Sequence, residues 1–249
     1  MATVDIGVQD RVGCLTLNRG KVNALNGDVV EELQEALVAF AADPDIAAVV
    51  LTGRGKFFSF GFDIPEFLAY SREEFTDYLV AFTALYTDMF TYPKPIVAAL
   101  NGHTIAGGYM LALACDHRVM VGENAKISLN EISFGSSVFA GSTEMLRFWV
   151  GSRNATDVLY SGAMYFAEEA KAIGLVDEVT ADEALLSTAT EKARELGSKY
   201  DSAFSSIKHL LREPTVARMR SGEQASIEAF VDIWYSDFTW NNLKQITIR

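Results

Sequence analysis

The chain repeats one arrangement that limits its fold: a short apolar run, then a glycine-rich loop, then a helical segment. The runs at residues 47–51 and 96–100 consist of Ala, Val, Ile and Leu, and their length and composition are typical of buried strands. The first run continues into GRGKFFSFGFDI at 53–64, and the second into NGHTIAGGYM at 101–110. Strands that alternate with helices in this way predict an α/β core.

Periodicity predicts the elements around these two units. Alternating apolar residues predict two strands before residue 18, and apolar residues three and four apart predict a helix from Asn26 or Asp28 to about residue 43. Further helices are predicted at 72–91, 142–150, 155–161 and 167–173, and only helices are predicted after residue 182. We therefore assign residues 1–196 to a core of strand–strand–helix units and residues 197–249 to an all-helical region.

Composition excludes several classes of protein. A formal net charge of -12 leaves no overall basic footprint, which argues against nucleic acid as a partner. Cys14 and Cys115 lie far apart in apolar stretches, as expected of free thiols in a reducing compartment. No targeting segment or membrane span is predicted, and the three histidines lack metal-ligand spacing. We expect a cytoplasmic protein without a metal and without a membrane partner.

The two glycine-rich loops are the candidate site. Each places backbone N–H groups at the start of a helix, where they lack intrahelical partners and attract an anion or a carbonyl oxygen. Two such groups on neighbouring strands would form an oxyanion hole if they converged on one oxygen. Each loop taken alone also fits a tight turn that binds nothing.

Three segments resemble the crotonase (enoyl-CoA hydratase/isomerase) family. They are FSFGFDI, NGHTIAGGYMLALACDHRV and the opening NRGKVNALNGDVVEEL, in the family's order over nearly the whole chain. The resemblance implies a ββα spiral core, an acyl-CoA thioester substrate that itself carries the coenzyme A, and no separate cofactor. It also implies a homotrimer or a hexamer assembled through the C-terminal helical region.

The resemblance also implies roles for individual residues. The backbone N–H groups of Phe62 and Gly107 would hold the thioester oxygen and would stabilise an enolate. The remaining implied contacts are with substrate. Val22 and Ala24 would line the path of the pantetheine arm and adenine, while Ser59, Phe60 and Ile64 would border the acyl-thioester end.

One departure from the family pattern bears on the reaction. Glu131 occupies the position of the family's acid/base glutamate, but the second glutamate, which hydratases use to hold a water, is replaced by Met110. A thioether cannot deprotonate water, and we expect Met110 to line an apolar acyl pocket. A single base is enough to move a proton from C2 to C4 of a 3-enoyl-CoA. The strings VNAL and LNE also look like the Δ3,Δ2-enoyl-CoA isomerase branch, and residues 135–138 lack the second acid of the dienoyl-CoA branch.

Alternatives remain at this point. Glu131 could activate water for hydration or hydrolysis of another acyl-CoA, or the chain could bind acyl-CoA without turnover. Charge raises a separate question, because coenzyme A is an anion. Arg19, Lys21, Arg54 and Lys56 lie near the motifs and are either its phosphate contacts or ordinary solvated charges.

Overall fold

A computed structural model describes residues 2–122 and 124–246 of the chain. Its strands are β1 (Val4–Gln9), β2 (Val12–Leu17), β3 (Ala48–Gly53), β4 (Phe57–Ser59), β5 (Ile96–Leu100), β6 (His103–Ile105), β7 (His117–Val121), β8 (Lys126–Ser128), β9 (Tyr165–Phe166) and β10 (Glu178–Thr180). Its helices are α1 (Gly27–Ala42), α2 (Ile64–Phe67), α3 (Arg72–Phe90), α4 (Gly107–Ala114), α5 (Ala140–Ser161), α6 (Ala167–Ala172), α7 (Leu185–Gly197), α8 (Asp201–Trp234) and α9 (Asp237–Leu243). Two 3-10 helices cover Glu131–Phe134 and Asp182–Ala184.

The larger sheet has the strand order β1-β2-β3-β5-β7-β10. Strands β1 and β2 form an antiparallel hairpin, and every later neighbour in this sheet is parallel. The residues of β5 are all buried, as expected of a parallel strand covered on both faces. This arrangement confirms the predicted α/β core.

A second, four-stranded sheet with the order β4-β6-β8-β9 positions the loops of interest. Strands β4, β6 and β8 run parallel, so their carboxyl ends lie at the same edge of the sheet. Each of these ends leads into one motif: the loop before α2, the start of α4, and the turn that contains Glu131. Strands β4 and β6 were not predicted as strands, because three residues are too few to show a period.

The C-terminal region is helical throughout residues 182–246 except for short connections, as predicted. Helix α8 packs on α3 and α5 of the preceding region, and its apolar stripe of Ile227, Phe230, Val231 and Trp234 is buried within the chain itself. The division after residue 196 stays a prediction, as does a role of this region in assembly. The last three residues assigned to it, 247–249, lie outside the described residues.

Two smaller features complete the fold. The helices predicted at 142–150 and 155–161 are one element, α5, with a kink at Gly151, whose φ is 73°. No helix among the described residues combines the length and the apolarity needed to cross a membrane.

Candidate functional site

The backbone amide of Phe62 is directed by an extended pairing with the segment before α1. Leu25 N donates to Gly61 O at 2.8 Å, and Asp63 N donates to Leu25 O at 3.0 Å. Because successive peptide groups of an extended segment alternate in direction, the N–H of Phe62 points away from Leu25. Among the described residues this N–H has no hydrogen-bond acceptor.

The second amide belongs to Gly107, the first residue of α4. Ala106 precedes it with φ 49° and ψ −122°, a conformation that non-glycine residues seldom adopt, and donates its own N–H to Ser128 O at 2.8 Å. This turn leaves the Gly107 N–H at the helix N-terminus, where it has no acceptor within the described chain. Backbone strain at such a position is typical of functional turns.

The two amides approach one another because glycines let their loops touch. A Cβ at Gly61, whose φ is 92°, would lie 3.2 Å from the Gly107 nitrogen. A Cβ at Gly108 would lie 2.7 Å from both the Cβ and the carbonyl oxygen of Ser59. Side chains at either place would force the loops apart. The geometry therefore brings two unpaired N–H donors to one region, which is what an oxyanion hole requires.

Glu131 follows β8 and opens the 3-10 turn. Its side chain is buried, with 4% of the residue exposed, and neither carboxylate oxygen has a hydrogen-bond partner among the described residues. Burial raises the pKa of this carboxyl to about 8, because a low-dielectric environment disfavours the charged form. A buried, unpaired and pKa-shifted carboxyl in a cavity is typical of a proton-transfer site rather than of a surface charge.

Helix α9 holds the turn that carries this carboxyl. Thr239 Oγ1 donates to Gly135 O at 2.6 Å, and Asn242 Nδ2 donates to Phe134 O at 3.2 Å. These two hydrogen bonds from α9 therefore hold the backbone of the turn that orients the Glu131 side chain.

A cavity of about 160 Å³ contains these groups. Six of the nine residues predicted for the site line it, and they are Phe60, Phe62, Ile64, Gly107, Met110 and Glu131. Glu131 is the one ionisable side chain in the lining that the described residues provide. Met110 also lies in the wall of this cavity.

The other three predicted residues lie beside the cavity rather than in its lining. Val22 and Ala24 are buried in the segment before α1, where Val22 O accepts from Phe60 N at 2.9 Å. Ser59 is completely buried, and its hydroxyl donates to Asn23 O at 2.7 Å and accepts from Gly61 N at 3.1 Å. Ser59 therefore fixes the loop of the first amide, and substrate contact by these three residues stays a prediction.

The basic residues near the motifs differ in their pairing. Arg19 donates to the carboxylates of Asp63 and Glu66, the latter at 2.7 Å, so its charge is already neutralised. Lys21 and Lys56 are exposed and form no ion pair with a described residue. These two lysines are therefore more available than Arg19 for contact with the phosphates of a bound coenzyme A.

Sequence reasoning missed the aromatic part of the cavity wall. Phe230 and Trp234, both from α8, line it although they lie about 100 residues from the turn of Glu131. Their spacing of four residues is typical of one face of a helix but gives no indication of which cavity that face would contact. Asn130 also lines the cavity, and its side-chain oxygen is buried without a partner among the described residues.

The amino-acid sequence is similar to one protein family and to individual members of it. The family model described as enoyl-CoA hydratase/isomerase matches residues 7–239. The mitochondrial enoyl-CoA hydratase of Pongo abelii is 32% identical over 240 residues, which is 96% of this chain and 80% of that protein. A probable enoyl-CoA hydratase of Rhizobium meliloti (strain 1021) is 37% identical over 198 residues, which is 79% of this chain and 76% of the relative.

Solved structures agree with this placement. The crystal structure of human mitochondrial delta3-delta2-enoyl-CoA isomerase has a TM-score of 0.91 at 27% identity and covers 97% of this chain and 95% of the human one. The fold and the cavity define an enzyme of the crotonase type, in which the residues of two unpaired backbone amides and one buried carboxyl line the same cavity. The chain belongs to the enoyl-CoA hydratase/isomerase family. Most of the similar curated proteins carry hydratase names, while this structural neighbour is an isomerase, so the relatives do not decide between the two reactions.

Proposed function

We propose that the protein is a Δ3,Δ2-enoyl-CoA isomerase in which Glu131 alone moves the proton. The observation that carries the proposal is the single carboxyl in the cavity lining that the described residues provide. Met110, which also lines the cavity, stands at the sequence position where the resemblance puts the second glutamate of a hydratase. Addition of water requires that a water molecule be held and deprotonated beside the double bond, and a methionine thioether can do neither. Isomerisation requires only one base and a means of stabilising an enolate.

The proposed reaction has two proton transfers. The thioester oxygen accepts hydrogen bonds from the amides of Phe62 and Gly107 while the Glu131 carboxylate removes a proton from C2. The negative charge moves to that oxygen, where two fixed donors stabilise it without reorganisation. Glu131 then returns the proton to C4, and the double bond moves from C3–C4 to C2–C3. No oxygen atom of water enters the product.

The test is turnover of trans-3-hexenoyl-CoA in water enriched in oxygen-18. We expect the conjugated 2-hexenoyl thioester to accumulate, as followed by its ultraviolet absorbance, with no oxygen-18 in the acyl group. A 3-hydroxyacyl product that carries the label would show that Glu131 activates water, as in a hydratase. Tight binding of the thioester without any product would favour a binding protein.

The raised pKa of Glu131 predicts how kcat/KM depends on pH. Because burial raises its pKa to about 8, most molecules of the free enzyme carry a protonated and therefore inactive base at pH 6. We expect kcat/KM for the 3-enoyl thioester to rise about 10-fold per pH unit below pH 7, level off above pH 8, and gain about 100-fold in all between pH 6 and 9. Initial rates over this range, corrected for spontaneous thioester hydrolysis, provide the measurement. A profile that is flat from pH 6 to 9 would contradict the assignment of Glu131 as the base.

A further inference from the structure

We propose that the cavity accepts acyl groups of about six carbons or fewer, and that Phe230 and Trp234 form the wall that ends it. This inference rests on the proposed function only in placing the thioester at the amides of Phe62 and Gly107. It names the substrate class of that site: short, linear acyl-CoA thioesters rather than long-chain ones.

The polarity of the cavity fixes the direction of the acyl group. The two amides and Glu131 supply polar groups of its lining, while Ile105, Met110 and the two α8 side chains contribute apolar surface. With its thioester held at the amides, an acyl tail points toward the apolar part, where burial of methylene groups is favourable.

The volume of the cavity limits the length of that tail. An apolar protein cavity of about 150 Å³ holds one benzene molecule, which has six carbons. The cavity here measures about 160 Å³ and must also hold the reacting carbons. It therefore has space for an acyl group of roughly four to six carbons.

The aromatic wall is backed by packed side chains rather than by solvent. Phe230 and Trp234 are 2% and 1% exposed. The Phe230 ring stacks on Phe139 with centroids 4.5 Å apart, and the Trp234 ring packs on Phe75 at 4.6 Å. Interiors packed in this way yield little to an inserted chain, so a longer tail would have to displace the whole cluster.

The Phe62 ring joins the same cluster. It contacts Phe82 with ring centroids 4.9 Å apart and Phe230 at 6.4 Å. A tail that pushed Phe230 aside would therefore also disturb the residue whose amide faces the thioester oxygen. The wall consequently links the length of the acyl group to the geometry of the amide pair.

The experiment is a set of dissociation constants for saturated acyl-CoA thioesters from butyryl to dodecanoyl, measured by calorimetry. From butyryl to hexanoyl we expect the affinity to rise about fourfold per methylene. This factor corresponds to the free energy of burying one such group. Beyond hexanoyl the affinity should stop rising, so that decanoyl-CoA binds no more tightly than hexanoyl-CoA. Continued tightening through decanoyl would overturn the proposal.

Variants locate the wall. Trp234→Leu should tighten decanoyl-CoA binding roughly 10-fold and change hexanoyl-CoA binding less than about 3-fold, because it removes apolar bulk beyond the sixth carbon. Phe230→Leu is the second variant, for use if Trp234→Leu does not fold, and it should shift the chain-length profile in the same direction. Ile233→Ala, on the partly exposed side of the same helix, is the matched control and should leave the profile unchanged. Folded wall variants with the wild-type profile would assign the limit to other residues.

Saturated thioesters separate this proposal from the isomerase proposal, since they cannot isomerise. A cut-off near six carbons in a protein that does not turn over 3-enoyl-CoA would retain the length limit and reject the isomerase. An active isomerase whose affinity keeps rising with chain length would do the reverse.

Discussion

Replacement of Glu131 by Gln is expected to lower isomerase turnover about 1,000-fold while acyl-CoA binding survives. General-base catalysis contributes on the order of 10² to 10⁴ in rate, and the described cavity lining offers no second base. Glutamine has nearly the same size and shape and keeps the amide pair in place. Because burial already favours the neutral form of this carboxyl, the variant should fold at least as stably as the wild type near pH 8.

The measurements are kcat for a 3-enoyl-CoA and the dissociation constant of hexanoyl-CoA, each with wild type and variant. The matched control is Glu191→Gln, which changes an exposed glutamate on α7 and should leave both quantities unchanged. Retention of more than about a tenth of the wild-type kcat would reject Glu131 as the base. Equal losses of activity and of binding would instead indicate that the carboxyl shapes the cavity.

The sequence predicted those parts of the site that are local in the chain. Each amide lies in a glycine-rich loop that follows a predicted buried strand, at 47–51 or 96–100, and leads into a helical segment. The resemblance to the family then assigned the amides of Phe62 and Gly107 within these loops. Glu131 was assigned from its resemblance to a family segment, and the structure puts its side chain in the same cavity as both amides. The parallel order of β4, β6 and β8 explains why these distant segments meet.

The rest of the site depends on packing between distant segments. Phe230 has the helical spacing of any core residue, and nothing near it in the sequence indicates that α8 contributes to the cavity of Glu131. The support of the Glu131 turn by Thr239 and Asn242 is equally remote, since it joins residues more than 100 positions apart. Such contacts follow from how α8 and α9 return to the core, which periodicity does not specify.

One buried charge cluster joins α8 to the core. The Asp116 carboxylate accepts from the Ile96 amide and from Lys208 Nζ, both at 2.8 Å, and pairs with Arg212 at 2.9 Å. Lys208 and Arg212 belong to α8, whereas Asp116 lies between α4 and β7. Burial lowers the pKa of Lys208 to about 8, although the nearby Asp116 carboxylate acts in the opposite direction. The charged forms of the two buried cations are therefore stabilised by the carboxylate that they share.

Asp116→Asn should therefore lower the free energy of unfolding by about 3–5 kcal/mol, because it leaves two buried cations without a counter-charge. For a chain of this length that loss corresponds to a fall in Tm of roughly 10 °C. Chemical denaturation and calorimetry of wild type and variant provide the measurement. The matched control is Asp157→Asn, which breaks the exposed pair with Arg153 and should cost less than about 1 kcal/mol.

A second substitution identifies the cause of the loss. Lys208→Met in the Asp116→Asn background removes one unpaired cation and should restore part of the lost stability, although the same change in the wild type should destabilise. Additive effects of the two substitutions on the free energy of unfolding would show that the charges act independently. A loss of unfolding free energy below about 1 kcal/mol for Asp116→Asn alone would show that water already solvates the cluster. The same helix carries Phe230 and Trp234 to the cavity, so the charge cluster and the proposed wall of the acyl site belong to one element.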